Sequence, residues 1–69
     1  MEKFYVDIWK WDVEHHEYYQ TTIKSFRHEA DARGAYKKVT LSKNRIAKEL
    51  WKITEKDNIR LANETYEGE

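Results

Sequence analysis

The residues able to do chemistry are few, and their spacing matches no common catalytic or metal site. His15 and His16 are adjacent, so their side chains diverge, and no HxH or HxxxH spacing occurs. Asp7 and Asp12 are five positions apart, which in a strand places their carboxylates on opposite faces. There is no cysteine, and no nucleophile has a placed base. We therefore expect no enzyme activity, no metal and no cofactor.

Composition indicates one folded domain. The 69 residues are 39% hydrophobic and 38% charged, and ten of them are aromatic. That aromatic content separates the chain from disordered sequences, and its length allows a single domain covering 1–69. The formal net charge is zero, which weighs against a non-specific polyanion binder.

The chain shows no sign of export or membrane insertion. No apolar run approaches 18 residues, and Asp7 and Lys10 interrupt the apolar residues near the N-terminus. The lack of cysteine excludes a disulfide framework and a thiolate metal centre. A cytoplasmic location is the default expectation, with no membrane partner.

Charge is distributed in three blocks along the chain. Residues 1–20 carry a net charge of −3, residues 21–52 carry +6, and residues 53–69 carry −3. Two interpretations stay open: the blocks neighbour one another in the fold, or the basic middle meets an acidic or phosphate-bearing partner.

Hydrophobic periodicity predicts a β-β-α-β-β order. Alternation indicates strands over 3–13, 18–26 and 59–63, separated by polar turns over 14–17 and 55–58. Apolar residues at i, i+3, i+4 and i+7 predict a helix over about 27–39, with Ser25 or His28 as its N-cap. Residues 45–54 fit a third strand, although a helical reading competes. The tail, 64–69, is expected to fray.

This order predicts an α+β domain in which a four-stranded antiparallel sheet carries one helix on one face. In the first strand, Phe4, Val6 and Ile8 alternate with a larger set, Tyr5, Trp9 and Trp11. The apolar side of the helix is small, so Phe4, Val6 and Ile8 are expected to pack against it better than the larger aromatic set. The large aromatic side chains are therefore expected on the face without a helix.

That face is the first candidate site. Trp and Tyr residues anchor many protein interfaces, so we expect partner contacts there. The expected contacts are Tyr5, Trp9, Trp11 and Leu50, rimmed by Lys48 and Lys52. The competing interpretation is that the tryptophans are ordinary core residues in a bulged sheet.

The outer surface of the helix is the second candidate site. Gly34 lies among basic residues there, and a glycine allows a close approach to the backbone. The expected contacts with a phosphate or an acidic partner are Arg27, Arg33, Gly34, Lys37 and Lys38. The alternative is a solvated helix surface that tolerates a glycine.

The pattern also resembles a group of known proteins. The run Ile23-Lys24-Ser25-Phe26, the helix positions Glu29, Ala32, Ala35-Tyr36 and Val39, and the segments 49–53 and 59–61 carry the resemblance. In style they resemble small phage or mobile-element accessory proteins of unknown or inhibitory function. The resemblance implies a compact binder that occludes a host or defence protein.

The sequence therefore predicts a non-catalytic protein-binding module that occludes a protein partner or self-associates as a homodimer. The alternative is a small nucleic-acid-binding protein that stacks bases on the aromatic face and uses the basic residues of 21–52. No small-molecule substrate is expected.

Overall fold

The computed structural model describes residues 2–68 as four strands and one helix. The elements are β1 (Lys3–Asp12), β2 (Glu17–Phe26), α1 (Glu29–Lys38), β3 (Arg45–Ile53) and β4 (Asn58–Thr65). The predicted α+β class and β-β-α-β-β order are confirmed. Residues 45–53 form a strand, so the helical reading of this segment is wrong.

All neighbouring strands are antiparallel, in the order β2-β1-β3-β4. Because β2 and β3 both run antiparallel to β1, they run in the same direction on its two sides, and the chain between them must cross over β1. α1 makes that crossing and contacts β1, β2 and β3. One ten-residue helix therefore covers one face of the sheet.

The helix begins later than the periodicity predicts. His28 is the N-cap, with an extended backbone and no capping hydrogen bond from its side chain. Ser25, the other candidate cap, lies within β2. The acidic residues Glu29 and Asp31 occupy the first turn of α1 and favour its positive end.

The C-terminal strand is longer than predicted. β4 continues to Thr65, and the Tyr66 N–H donates to the Ile46 carbonyl at 2.6 Å. The expectation that the tail frays is wrong for Glu64 and Thr65, because these residues pair with β3. Glu69, the end of the predicted tail, lies outside the described residues.

The core forms between α1 and the face of the sheet that it covers, which we call the helix face. Alternation in β1 buries Phe4, Val6 and Ile8. Leu50 of β3, opposite Val6, is fully buried at 0% exposure. From the helix, Ala32 and Tyr36 complete the cluster around Phe4, Val6 and Leu50.

A buried lysine ties the C-terminal end of α1 to the sheet. The side chain of Lys48 on β3 is 6% exposed, and its ammonium donates to the carbonyl oxygens of Tyr36 at 2.8 Å and Val39 at 3.1 Å. It also lies 4.4 Å from the centre of the Tyr36 ring and 3.3 Å from the Glu64 carboxylate. A cation at this position complements the negative end of the helix. It also adds a second donor to the Tyr36 carbonyl, which accepts the backbone N–H of Val39 at 3.2 Å.

We expect Lys48→Met to destabilise the fold by about 1.5–3 kcal/mol, the range for a hydrogen bond made by a charged group. The matched control is Lys52→Met on the same strand and face, because Lys52 forms an ion pair with the exposed Glu2, and such surface pairs contribute little to stability. The free energy of unfolding, from urea titration followed by tryptophan fluorescence, is the measurement. Equal losses for the two variants would contradict the role of Lys48.

Tyr36 makes the fold sensitive to alkaline pH. Burial and the negative charge of Glu64 raise the pKa of its hydroxyl to about 12, from 10.0 for a free tyrosine. Between these values the unfolded chain loses the proton first, so the contribution to stability is complete below pH 10 and is lost as the pH rises through about 12. Titration of stability from pH 9 upward should show a shallower decline for Tyr36→Phe than for the parent chain. Identical slopes would contradict this account.

Candidate functional site: the open face of the sheet

The sheet has a second broad face, opposite α1, which we call the open face. Strand register assigns its side chains, because directly paired residues point to the same side. The open face carries Lys3, Tyr5, Asp7, Trp9 and Trp11 from β1, Tyr18, Gln20, Thr22 and Ser25 from β2, Ala47, Glu49, Trp51 and Ile53 from β3, and Asn58, Arg60, Asn63 and Thr65 from β4.

The three aromatic residues predicted for this face all lie on it, with Trp9 and Trp11 toward one end and Tyr5 toward the other. Tyr5, Trp9 and Trp11 are each half-buried by neighbours on the sheet and are not enclosed in the core. Trp11 packs edge-on against Tyr18, with ring centres 4.8 Å apart and an angle of 62° between the rings. The ring of His16 also lies edge-on to the same indole, with ring centres 6.2 Å apart. A contiguous aromatic group therefore occupies the end of the open face near the β1–β2 turn.

Three other predicted contacts lie on the wrong side of the sheet. Leu50, Lys48 and Lys52 are on the helix face, opposite Val6, Ile8 and Phe4 respectively. Leu50 is core, Lys48 holds the helix, and Lys52 pairs with Glu2 at 3.2 Å. None of the three can belong to a surface formed by Trp9 and Trp11.

The sequence prediction omitted Trp51 from this face. Its Cα partner on β1 is Tyr5, so the indole and the phenol lie side by side. The indole N–H donates to Glu49 Oε1 at 2.9 Å, which holds the ring in one orientation. Residue type was the signal that could have found it. Trp51 is aromatic like Trp9, whereas Leu50 is aliphatic like Val6, so Trp51 is the better candidate for the face that carries Trp9.

A band of polar side chains separates the two aromatic ends of the open face. Asp7 and Glu49 stand directly opposite one another on β1 and β3, an arrangement that destabilises a sheet when the charges are alike. The Gln20 amide donates to both, at 3.0 Å to Asp7 and 2.8 Å to Glu49. Thr22 donates to Asp7 at 2.7 Å, and Arg60 lies 3.4 Å from Glu49. The centre of the open face therefore presents two carboxylates held by hydrogen bonds.

The second predicted site is exposed but is not one continuous basic surface. Arg27, Arg33, Gly34, Lys37 and Lys38 are all exposed, and the Arg33 guanidinium pairs with Glu29 at 2.6 Å. A Cβ atom at Gly34 would meet no atom within 4 Å, so an alanine would fit there. Gly34 and Lys38 line a groove of about 540 Å³ that also includes Asp31.

The histidines in the β1–β2 turn have a structural partner. His15 Nδ1 lies 2.7 Å from Asp12, which also accepts the backbone N–H of Glu14. The hydrogen bond with His15 lowers the pKa of the Asp12 carboxyl. These contacts form the turn without the Asn-Gly pair that tight hairpins favour. Within residues 2–68, no three His, Cys, Asp or Glu side chains are placed to hold a metal ion.

Comparison of the chain with protein-family models, with curated proteins and with solved structures finds no match. Over the described part of the chain, no helix has the length and apolar character needed to cross a bilayer.

The polar band should depend on the Gln20 amide. We expect Gln20→Met to cost about 1 kcal/mol of stability, because the two carboxylates lose their shared donor. The loss should shrink in an Asp7→Asn background, where only one carboxylate carries charge. A double-mutant cycle of urea unfolding measures this coupling, and an unchanged loss in the Asp7→Asn background would contradict it.

Proposed function

We propose that this chain is a non-catalytic module that binds a protein partner through the open face. Five aromatic side chains support this proposal, because they lie on the side of the sheet that α1 leaves free: Tyr5, Trp9, Trp11, Tyr18 and Trp51. Aromatic side chains offer a large contact area at low cost in conformational entropy, which makes them frequent anchors of interfaces.

The polar band favours a different protein over a second copy as the partner. A two-fold axis through the open face would bring Asp7 and Glu49 of both copies together, and like charges in an interface are unfavourable. The resemblance to small phage or mobile-element accessory proteins suggests occlusion of a host or defence protein. Self-association through the aromatic face remains the outcome to exclude by experiment.

The placement of the basic residues gives little support to nucleic-acid binding on this face. Lys48 and Lys52, the basic residues expected to rim the indoles, lie on the helix face. The open face does carry Lys3 and Arg60, but Arg60 pairs with Glu49, and carboxylates occupy the centre of the face. Phosphate contacts require cations near the stacked bases. Salt-dependent binding of single-stranded RNA or DNA that is lost with Trp9→Ala and Trp11→Ala would revive this alternative.

Two adjacent tyrosines provide a matched pair for testing the proposal. Tyr18 lies on the open face and Tyr19 on the opposite face, and their exposures are 44% and 43%. A photo-crosslinking phenylalanine analogue at residue 18, in cells that naturally express the chain, should form a discrete adduct with another polypeptide. The same analogue at residue 19 should not.

A second comparison separates loss of binding from loss of folding. Replacing both Trp9 and Trp11 by alanine should abolish the adduct from residue 18 and leave unfolding cooperative. The control replaces Tyr19 and Ile59, exposed apolar residues on the other side of the sheet, and should leave the adduct intact. Adducts from residue 19 alone, or an adduct of two copies of this 8.5 kDa chain, would contradict a separate partner at the open face.

A further inference from the structure

The open face contains a depression that combines aromatic walls with a carboxylate. Its volume is about 270 Å³, and it is lined by Tyr5, Asp7, Thr22, Trp51, Ile53 and Asn58. We call it the acid–aromatic pocket. Tyr5 and Trp51 are neighbours across β1 and β3, and Asp7 follows Tyr5 on the same face of β1. The pocket therefore lies between the polar band and the aromatic end of the face formed by Tyr5 and Trp51.

The carboxylate in this pocket carries a charge that its neighbours do not neutralise. Oδ1 of Asp7 accepts from the Thr22 hydroxyl and Oδ2 accepts from the Gln20 amide, both neutral donors. Across residues 2–68, no basic side chain pairs with this carboxylate. Glu49, directly opposite, has Arg60 as its ion-pair partner. Each Asp7 oxygen also retains capacity for a further donor.

The walls of the pocket are held in place before any ligand arrives. The Trp51 indole is fixed by its hydrogen bond to Glu49, whose side chain is only 12% exposed. Gln20 links Glu49 to Asp7, so the wall and the carboxylate belong to one network of hydrogen bonds. A site ordered in advance loses less conformational entropy on binding.

We infer that the acid–aromatic pocket receives a basic side chain, an arginine above all, from the protein that docks on the open face; this inference rests on the proposed function. A guanidinium stacks on an aromatic face and donates two parallel hydrogen bonds to a carboxylate. The pocket offers both features within one side chain's reach. An anionic or purely apolar side chain would leave the Asp7 charge without a partner.

The test uses the intact chain labelled with ¹⁵N and two small probes, N-acetyl-arginine amide and its neutral analogue N-acetyl-citrulline amide. The arginine probe should shift and saturate the signals of the Trp51 indole N–H and the Tyr5 and Asp7 amides. The citrulline probe should bind at least about tenfold more weakly, the factor that corresponds to the loss of one charge-assisted hydrogen bond.

Two aspartates of β1 provide the variant and its control. Asp7→Asn keeps an oxygen that accepts from Thr22 but removes the charge, and it should weaken arginine binding by at least about tenfold. Asp12→Asn alters a carboxylate that serves the turn and should leave binding unchanged. Equal binding of the two probes, equal effects of the two variants, or shifts confined to the rest of the surface would overturn the inference.

The failure of this inference is distinguishable from the failure of the proposed function. A crosslinked partner at residue 18 without selective arginine binding would overturn the pocket assignment alone. Selective arginine binding in the pocket without any crosslinked partner would support the assignment of the pocket's ligand and count against the protein-binding role.

Discussion

The arrangement of this small domain depends on the contact between the buried ammonium of Lys48 and the C-terminal end of α1. This ammonium joins β3 to the last carbonyls of α1 and lies against the ring of Tyr36, so it holds the helix to the sheet by charge as well as by apolar contact. A chain of this length buries a small core, and Leu50 and Val6 are its largest fully buried side chains. Because the helix is held on that side, it leaves the opposite side of the sheet uncovered.

The open face is therefore divided into two aromatic ends and a polar centre. This arrangement suits the binding of a partner better than burial within the chain. Trp11 packs with Tyr18 at one end and Trp51 lies beside Tyr5 at the other, while Gln20 joins the two carboxylates between them. Apolar rings supply contact area, and ordered charges select the partner that can complement them. A surface that served only as a second core would not keep Asp7 and Glu49 at its centre.

Much of this architecture was predictable from residue periodicity, and the error within the site has a clear physical origin. Alternation in β1 correctly separated Phe4, Val6 and Ile8 from Tyr5, Trp9 and Trp11. Alternation in β3 likewise separated Leu50 from Trp51, but a single strand does not reveal which of its faces joins which face of its neighbour. That choice depends on register, here Val6 opposite Leu50 and Tyr5 opposite Trp51. The polar band depends on contacts across all four strands, which periodicity along the chain does not encode.

Nuclear Overhauser contacts from the side chains of α1, recorded on a dilute sample, show which face of the sheet the helix covers. The arrangement with α1 on the helix face predicts contacts from the Tyr36 ring to the Leu50 methyl groups and from Ala32 to the core residues of β1, with none from α1 to the indoles of Trp9, Trp11 or Trp51. Contacts between any α1 side chain and those indoles would contradict it, because the helix would then cover the face assigned to the partner.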